Sequence, residues 1–163
     1  MQVRLPREVE AVKHSRKSRR SKRNSAPMPS RRRLARVAAM QAVFEIQVRA
    51  ADQDSSLSMN MQELGGTTAV DTVFAKSLLA GVLKESDTIR KAIEENAPEW
   101  PIDRMDTITR SILLIGAYEL LCLKDAPPAV VMNEAIDIAK EYGTAESGKF
   151  VNGVLNALAH KKN

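Results

Sequence analysis

A chain of 163 residues, 44% apolar and 28% charged, has material for one sizeable core or two small ones packed together. No apolar run approaches the ~18 residues of a membrane span, the start lacks the apolar centre of a secretory signal, and its Arg- and Ser-rich composition is interrupted by Glu8 and Glu10 without the amphipathic pattern of a transit peptide. The net charge of +5 hides an asymmetry, because residues 1–36 carry thirteen Lys and Arg against two Glu, a formal +11, while the remainder sums to −6.

Residues 1–29, which include "KHSRKSRRSKRNSAPMP", are polar, highly charged and poor in apolar side chains, which predicts a disordered basic extension. From Ser30 onward (residues 30–163) the pattern is helical with short breaks, and no strand alternation is present. The first helix is predicted over residues 31–48, capped by Ser30. It carries a stripe of Leu34, Val37, Ala38, Gln41, Phe44 and Val48, with Met40, Val43 and Ile46 as a second apolar flank, so it should touch more than one neighbour. A polar link, "ADQDSS", leads to a short helix around Leu57, Met61 and Leu64, and "GGTT" breaks the chain. A long helix is expected over 69–93, its inner stripe including Val70, Val73, Phe74, Leu78, Val82, Ile89 and Ile93. Gly81 within it costs about 1 kcal/mol relative to Ala, a cost usually tolerated where another helix passes closely. After "NAPEWP", residues 103–124 contain "SILLIGAYELLCL", apolar on nearly all sides and therefore the expected central helix. Two further helices are predicted over 129–142, closed by Gly143 as a C′ residue, and over 146–160, with Phe150, Val151, Val154, Leu155 and Leu158 facing inward. The fold class is all-α: a bundle of six to seven helices with short connections.

Catalytic chemistry finds little support. His14 and His160 stand far from any metal-ligand spacing, and the single Cys122 reads as a small core residue of a reducing compartment, with the cytoplasm as the expected location. "ESGKF" lacks the upstream glycine of a phosphate loop and has Phe150 where Ser or Thr should hold magnesium. No catalytic residue, metal site or cofactor is expected. Arg110 and Glu119 interrupt the most apolar helix nine residues apart, so each needs a partner from another element.

The stretch "SRRRLARVAAMQAVFEIQ" places cations where a helix N-terminus already carries partial positive charge, with Arg32 and Arg36 at a repulsive i,i+4 spacing and no acid before Glu45. Such an arrangement is sensible if a polyanion supplies the missing charge. Guanidinium groups grip phosphate through two hydrogen bonds and stack on bases, and single-stranded RNA further needs flat platforms for unstacked bases. The few aromatic candidates are Phe44, on a ridge with Arg36 and Met40, and Phe150, next to Lys149; each could equally be core.

"RRRLARVAAMQAVFE", "RSILLIGAYELLCL" and "VVMNEAIDIAKEYGTAESGKFVNGVLNALA" together resemble the NusB family of bacterial transcription antitermination factors, over about residues 31–159. The resemblance implies two small packed helical bundles and a non-catalytic role. It implies pairing with the ribosomal small-subunit protein NusE, binding of the boxA element of ribosomal RNA transcripts, and help for RNA polymerase in resisting termination within an antitermination complex. It places Arg31, Arg32, Arg33, Arg36, Gln41 and Phe44 on the RNA-binding surface, with Lys149 and Phe150 of "KFVNGVL" as its second side. Phe44 stands where relatives usually have tyrosine, Gly148 where histidine is common and Glu146 where aspartate is common. A homodimer is compatible with self-association among relatives. Two other readings stand beside this one: an adaptor whose basic arm contacts acidic partners without sequence-specific RNA binding, and a detached NusB-like domain of a ribosomal RNA methyltransferase. Neutralising about four phosphates gives a log–log salt slope near −3 for a single strand. Reversing Arg33 and Arg36 to Glu is expected to abolish RNA binding with helicity equal or higher.

Overall fold

The computed structural model describes residues 28–99 and 101–160. Of the expected basic extension, residues 1–27 lie outside this range, as does His14; Met28 and Pro29 are described and are not helical. Among the described residues there are seven α-helices and no strand: α1 (Arg31–Arg49), α2 (Gln53–Glu63), α3 (Thr72–Lys84), α4 (Ser86–Asn96), α5 (Thr107–Tyr118), α6 (Pro128–Tyr142) and α7 (Ala145–Ala159). Short 3-10 turns at Gly66–Thr68 and Ile102–Arg104 precede α3 and α5.

Helix starts follow local chemistry. Ser30, Asp52, Asp71 and Asp106 each accept a hydrogen bond from the backbone N–H three residues on, satisfying a donor that no helical carbonyl can reach. The helix expected over 69–93 is two helices, because the chain turns at Glu85 (φ −98°, ψ 15°), and Ile89 and Ile93 then reach the core from a new direction. Val73, expected inside, lies in the first turn of α3 and is 78% exposed. The helix expected over 103–124 is shorter: Met105 is extended, Asp106 caps α5, and after Tyr118 the chain widens into a π turn at Glu119–Leu123, which Lys124 closes in the left-handed region (φ 52°). Gly143 does end α6, but with extended backbone (φ −103°, ψ −155°) rather than a left-handed cap.

Two groups of helices result. α1 packs against α2 and α3; α4, α6 and α7 surround α5, and α5 also contacts α1 and α3, so it joins the groups. α5 is buried on almost every side from Ser111 to Ala117. Gly81 lets α3 approach it: a Cβ there would lie 2.0 Å from the Tyr118 ring, which is the close passage its position in the sequence suggested. No helix among the described residues is long and apolar enough to cross a membrane.

Candidate nucleic-acid interface

The leading turn of α1 is pinned from several directions. The Asp71 N–H donates to the Arg31 carbonyl (3.1 Å), joining the start of α3 to the start of α1. Arg31 itself donates to the carbonyls of Thr67 (3.0 Å) and Val70 (3.1 Å). Arg32 pairs with Asp125 (2.7 Å), its guanidinium carbon 4.2 Å from the centre of the Phe74 ring. Arg33 donates to Glu134 through Nε (2.6 Å) and Nη2 (3.2 Å), and also to Asp137 (2.8 Å). Hydrogen bonding to Glu134 moves the Arg33 pKa still higher, against the opposite pull of its partial burial, and Asp137 adds to the rise. Arg36, 4% exposed, makes a two-pronged contact with Glu119 (2.8 Å for each hydrogen bond), lies 3.9 Å from Glu134 and sits 5.1 Å from the Phe74 ring centre.

These contacts correct the electrostatic reading of the sequence. Three of the four guanidinium groups face carboxylates, Arg32 with Asp125, Arg33 with Glu134 and Asp137, and Arg36 with Glu119, while Arg31 is held by backbone carbonyls; the four arginines and four acids together sum to zero formal charge. Arg36 is an internal ion-pair partner rather than a surface cation. Reversing it to Glu would press two carboxylates together out of water, so the expected retention of helicity in the Arg33→Glu, Arg36→Glu double variant does not hold. Gln41 is likewise internal, at 1% exposure, with neither side-chain polar atom hydrogen-bonded among the described residues. Phe44 is half-buried.

The second expected side of the surface lies toward the other end of α5. Thr109, near its start, contacts Ser147 of α7 (3.3 Å between hydroxyl oxygens), whereas Glu119 and Arg36 meet beyond its end. Ten residues of helix separate these points, about 15 Å. Lys149 is exposed and Phe150 half-buried, and both line a groove of about 900 Å³ together with Asn96, Arg104, Asp106 and Glu146. α6 bridges the two ends, since Glu134 and Asp137 hold Arg33, while one turn further Lys140 lies against Gly148, where an added Cβ would come within 3.2 Å of its Cγ. The cationic sites are thus not one cluster but a sequence of positions running from α1 across α6 to α7, suited to an extended strand rather than a single phosphate.

Residues 33–160 match the NusB family. The chain belongs to the NusB family. It is 37% identical over 135 residues to a transcription antitermination protein NusB of Desulfitobacterium hafniense, a match covering 81% of this chain and 90% of that protein. The crystallised T. maritima NusB superposes with a TM-score of 0.72 at 34% identity, covering 82% of this chain and 94% of that one. A crystal structure of antitermination factors NusB and NusE in complex with double-stranded RNA superposes at 0.69 and 28% identity, covering 78% of this chain and 94% of the matched chain.

Within this NusB fold, sequence reasoning missed Phe74 as the platform under Arg32 and Arg36, and missed Asp125, Glu134 and Asp137 as their partners. The only signal for such pairing was the need of Glu119 and Arg110 for partners on other elements. Both needs are met, Glu119 by Arg36 and Arg110 by the Gln47 side chain (2.6 Å) and the Ile102 carbonyl (3.3 Å).

Proposed function

We propose that this chain is a non-catalytic, RNA-binding transcription antitermination factor, which binds the boxA element of ribosomal RNA transcripts together with NusE and promotes read-through by RNA polymerase in the cytoplasm. Membership of the NusB family across residues 33–160 carries this reading, and the likeness to a NusB–NusE–RNA complex supports both partners. The proposed RNA face comprises Arg31, Arg32 and Arg33 at the head of α1, Phe44 along the same helix, and Lys149 and Phe150 at the start of α7. Arg36 contributes from beneath by fixing the turn that presents its neighbours, whereas Gln41, buried in the same helix, is left out of the face. Phosphate contacts would come from the arginines and Lys149, and base stacking from Phe150 and Phe44.

The internally neutral arginine cluster favours one second reading, an adaptor that meets NusE without reading RNA sequence. Binding of labelled boxA-like and scrambled RNA, with and without NusE and at two salt concentrations, separates the two. The antitermination reading predicts tighter binding of the boxA-like strand, strengthened by NusE and weakened by salt. Equal affinity for both RNAs in the presence of NusE supports the adaptor instead.

A further inference from the structure

We propose that Asp125 and Asp137 form an autoinhibitory clamp on the head of α1, occupying guanidinium contacts that RNA phosphates take over when the strand docks. The inference rests on the RNA-binding reading above and adds a regulatory step to it.

The argument starts from a gradient of burial along one ionic network. At its inner end, the side chains of Arg36 and Glu119 are 5% and 3% exposed, and neither can leave without stranding a charge away from water. In the middle, Arg33 and Glu134 share a two-pronged contact and are each 21% exposed. At the outer end, Asp125 and Asp137 are 48% and 50% exposed, each with a single close contact to an arginine. Ion pairs that open to water contribute little net free energy, so these two carboxylates are the exchangeable members. A phosphate offers the same guanidinium hydrogen bonds, with further negative charge beside it along the strand.

Geometry also favours exchange over simple addition. Arg32 is also stacked on Phe74, a contact separate from Asp125, and Arg33 also bonds Glu134, a contact separate from Asp137. Both guanidinium groups therefore remain positioned while each frees an outward-facing donor. With all four carboxylates present, the group they form with Arg31, Arg32, Arg33 and Arg36 has no net charge to attract a polyanion. With Asp125 and Asp137 displaced or neutralised it carries +2.

The test compares the full chain with its Asp125→Asn, Asp137→Asn double variant. Each is mixed with NusE and titrated into a short, fluorescently labelled boxA-like single-stranded RNA at low and high salt. An Asp87→Asn, Glu94→Gln variant, altered at two exposed positions of α4, controls for overall charge. The clamp predicts about two- to fivefold tighter binding per carboxylate at low salt, a gain that shrinks at high salt, and no comparable gain in the control. Thermal melts should show the double variant folded, because the altered groups are half-exposed. If the unaltered chain binds and the double variant binds no better, or if the control gains as much, the clamp is overturned while the antitermination reading survives. An unaltered chain that does not bind the RNA overturns both.

Discussion

Replacing Glu119 by Ala is the sharpest perturbation of the structural account. The change removes both hydrogen-bond acceptors of Arg36 and leaves its guanidinium buried at 4% exposure, between the Phe74 ring and a Glu134 oxygen 3.9 Å away. Stranding one partner of such a pair costs about 3–5 kcal/mol. For a chain of this size that lowers Tm by about 6–20 °C. Removing both partners in an Arg36→Met, Glu119→Leu variant leaves no stranded charge, and the apolar neighbours Met40, Ile112 and Ile115 can pack against the replacements. Its stability should return to within about 1–2 kcal/mol of the original. Urea unfolding of Arg36→Met, of Glu119→Leu and of their double variant, followed by circular dichroism, yields the coupling energy directly. A Glu119→Ala variant less than about 1 kcal/mol below the original, or singles that simply add in the double, would refute the idea that Arg36 is held by Glu119. Because Arg36 is internal, the double variant should also retain RNA binding.

Two helix glycines should respond oppositely to alanine. Gly81→Ala drives a methyl into the Tyr118 ring and is predicted to lose about 1–3 kcal/mol, whereas Gly153→Ala, with nothing within 4 Å of the new Cβ, should gain about 0.5–1 kcal/mol; thermal melts decide both. Gln41→Met removes two buried polar atoms that have no partner among the described residues, so denaturant unfolding should show it neutral or up to about 2 kcal/mol more stable, with RNA affinity unchanged. A clear loss of stability would reveal a hydrogen bond at Gln41. Asp52 caps α2, and its hydrogen bonds from Ser55 hold its pKa below the ordinary 3.8. Its stabilisation is therefore complete above 3.8 and lost as pH falls through the lower folded value. Asp52→Asn should keep the cap at neutral pH and flatten the acid limb of stability against pH; an unchanged limb contradicts the assignment.

How far the sequence was legible depended on which forces are local. Ser30 as a cap and Gly81 as a close crossing were readable, because N-cap preference and side-chain size act within a turn or across one contact. The break at Glu85 was not, since residues 69–93 keep an apolar stripe across it and only packing against α5 and α7 decides where the chain bends. The arginine cluster failed for the same reason. Charge repulsion within α1 is visible in its own residues, but the compensation arrives from Glu119, Asp125, Glu134 and Asp137, between 83 and 104 positions downstream for the hydrogen-bonded members. Family resemblance supplied what periodicity could not. It pointed to the head of α1 and the start of α7 as the proposed RNA face, while burial separated Arg36 and Gln41 from their more exposed neighbours.

The central claim is that RNA lies along the head of α1, across α6 and onto the start of α7. Photo-cross-linking tests it most directly, with thiouridine placed along a boxA-like strand bound to the chain and NusE, and the adducts mapped by mass spectrometry. Adducts within Ser30–Arg33 and at Lys149 and Phe150, depleted by competing unlabelled boxA-like RNA, are the predicted result. Specific adducts confined to α2 or α4, with the head of α1 untouched, would contradict it.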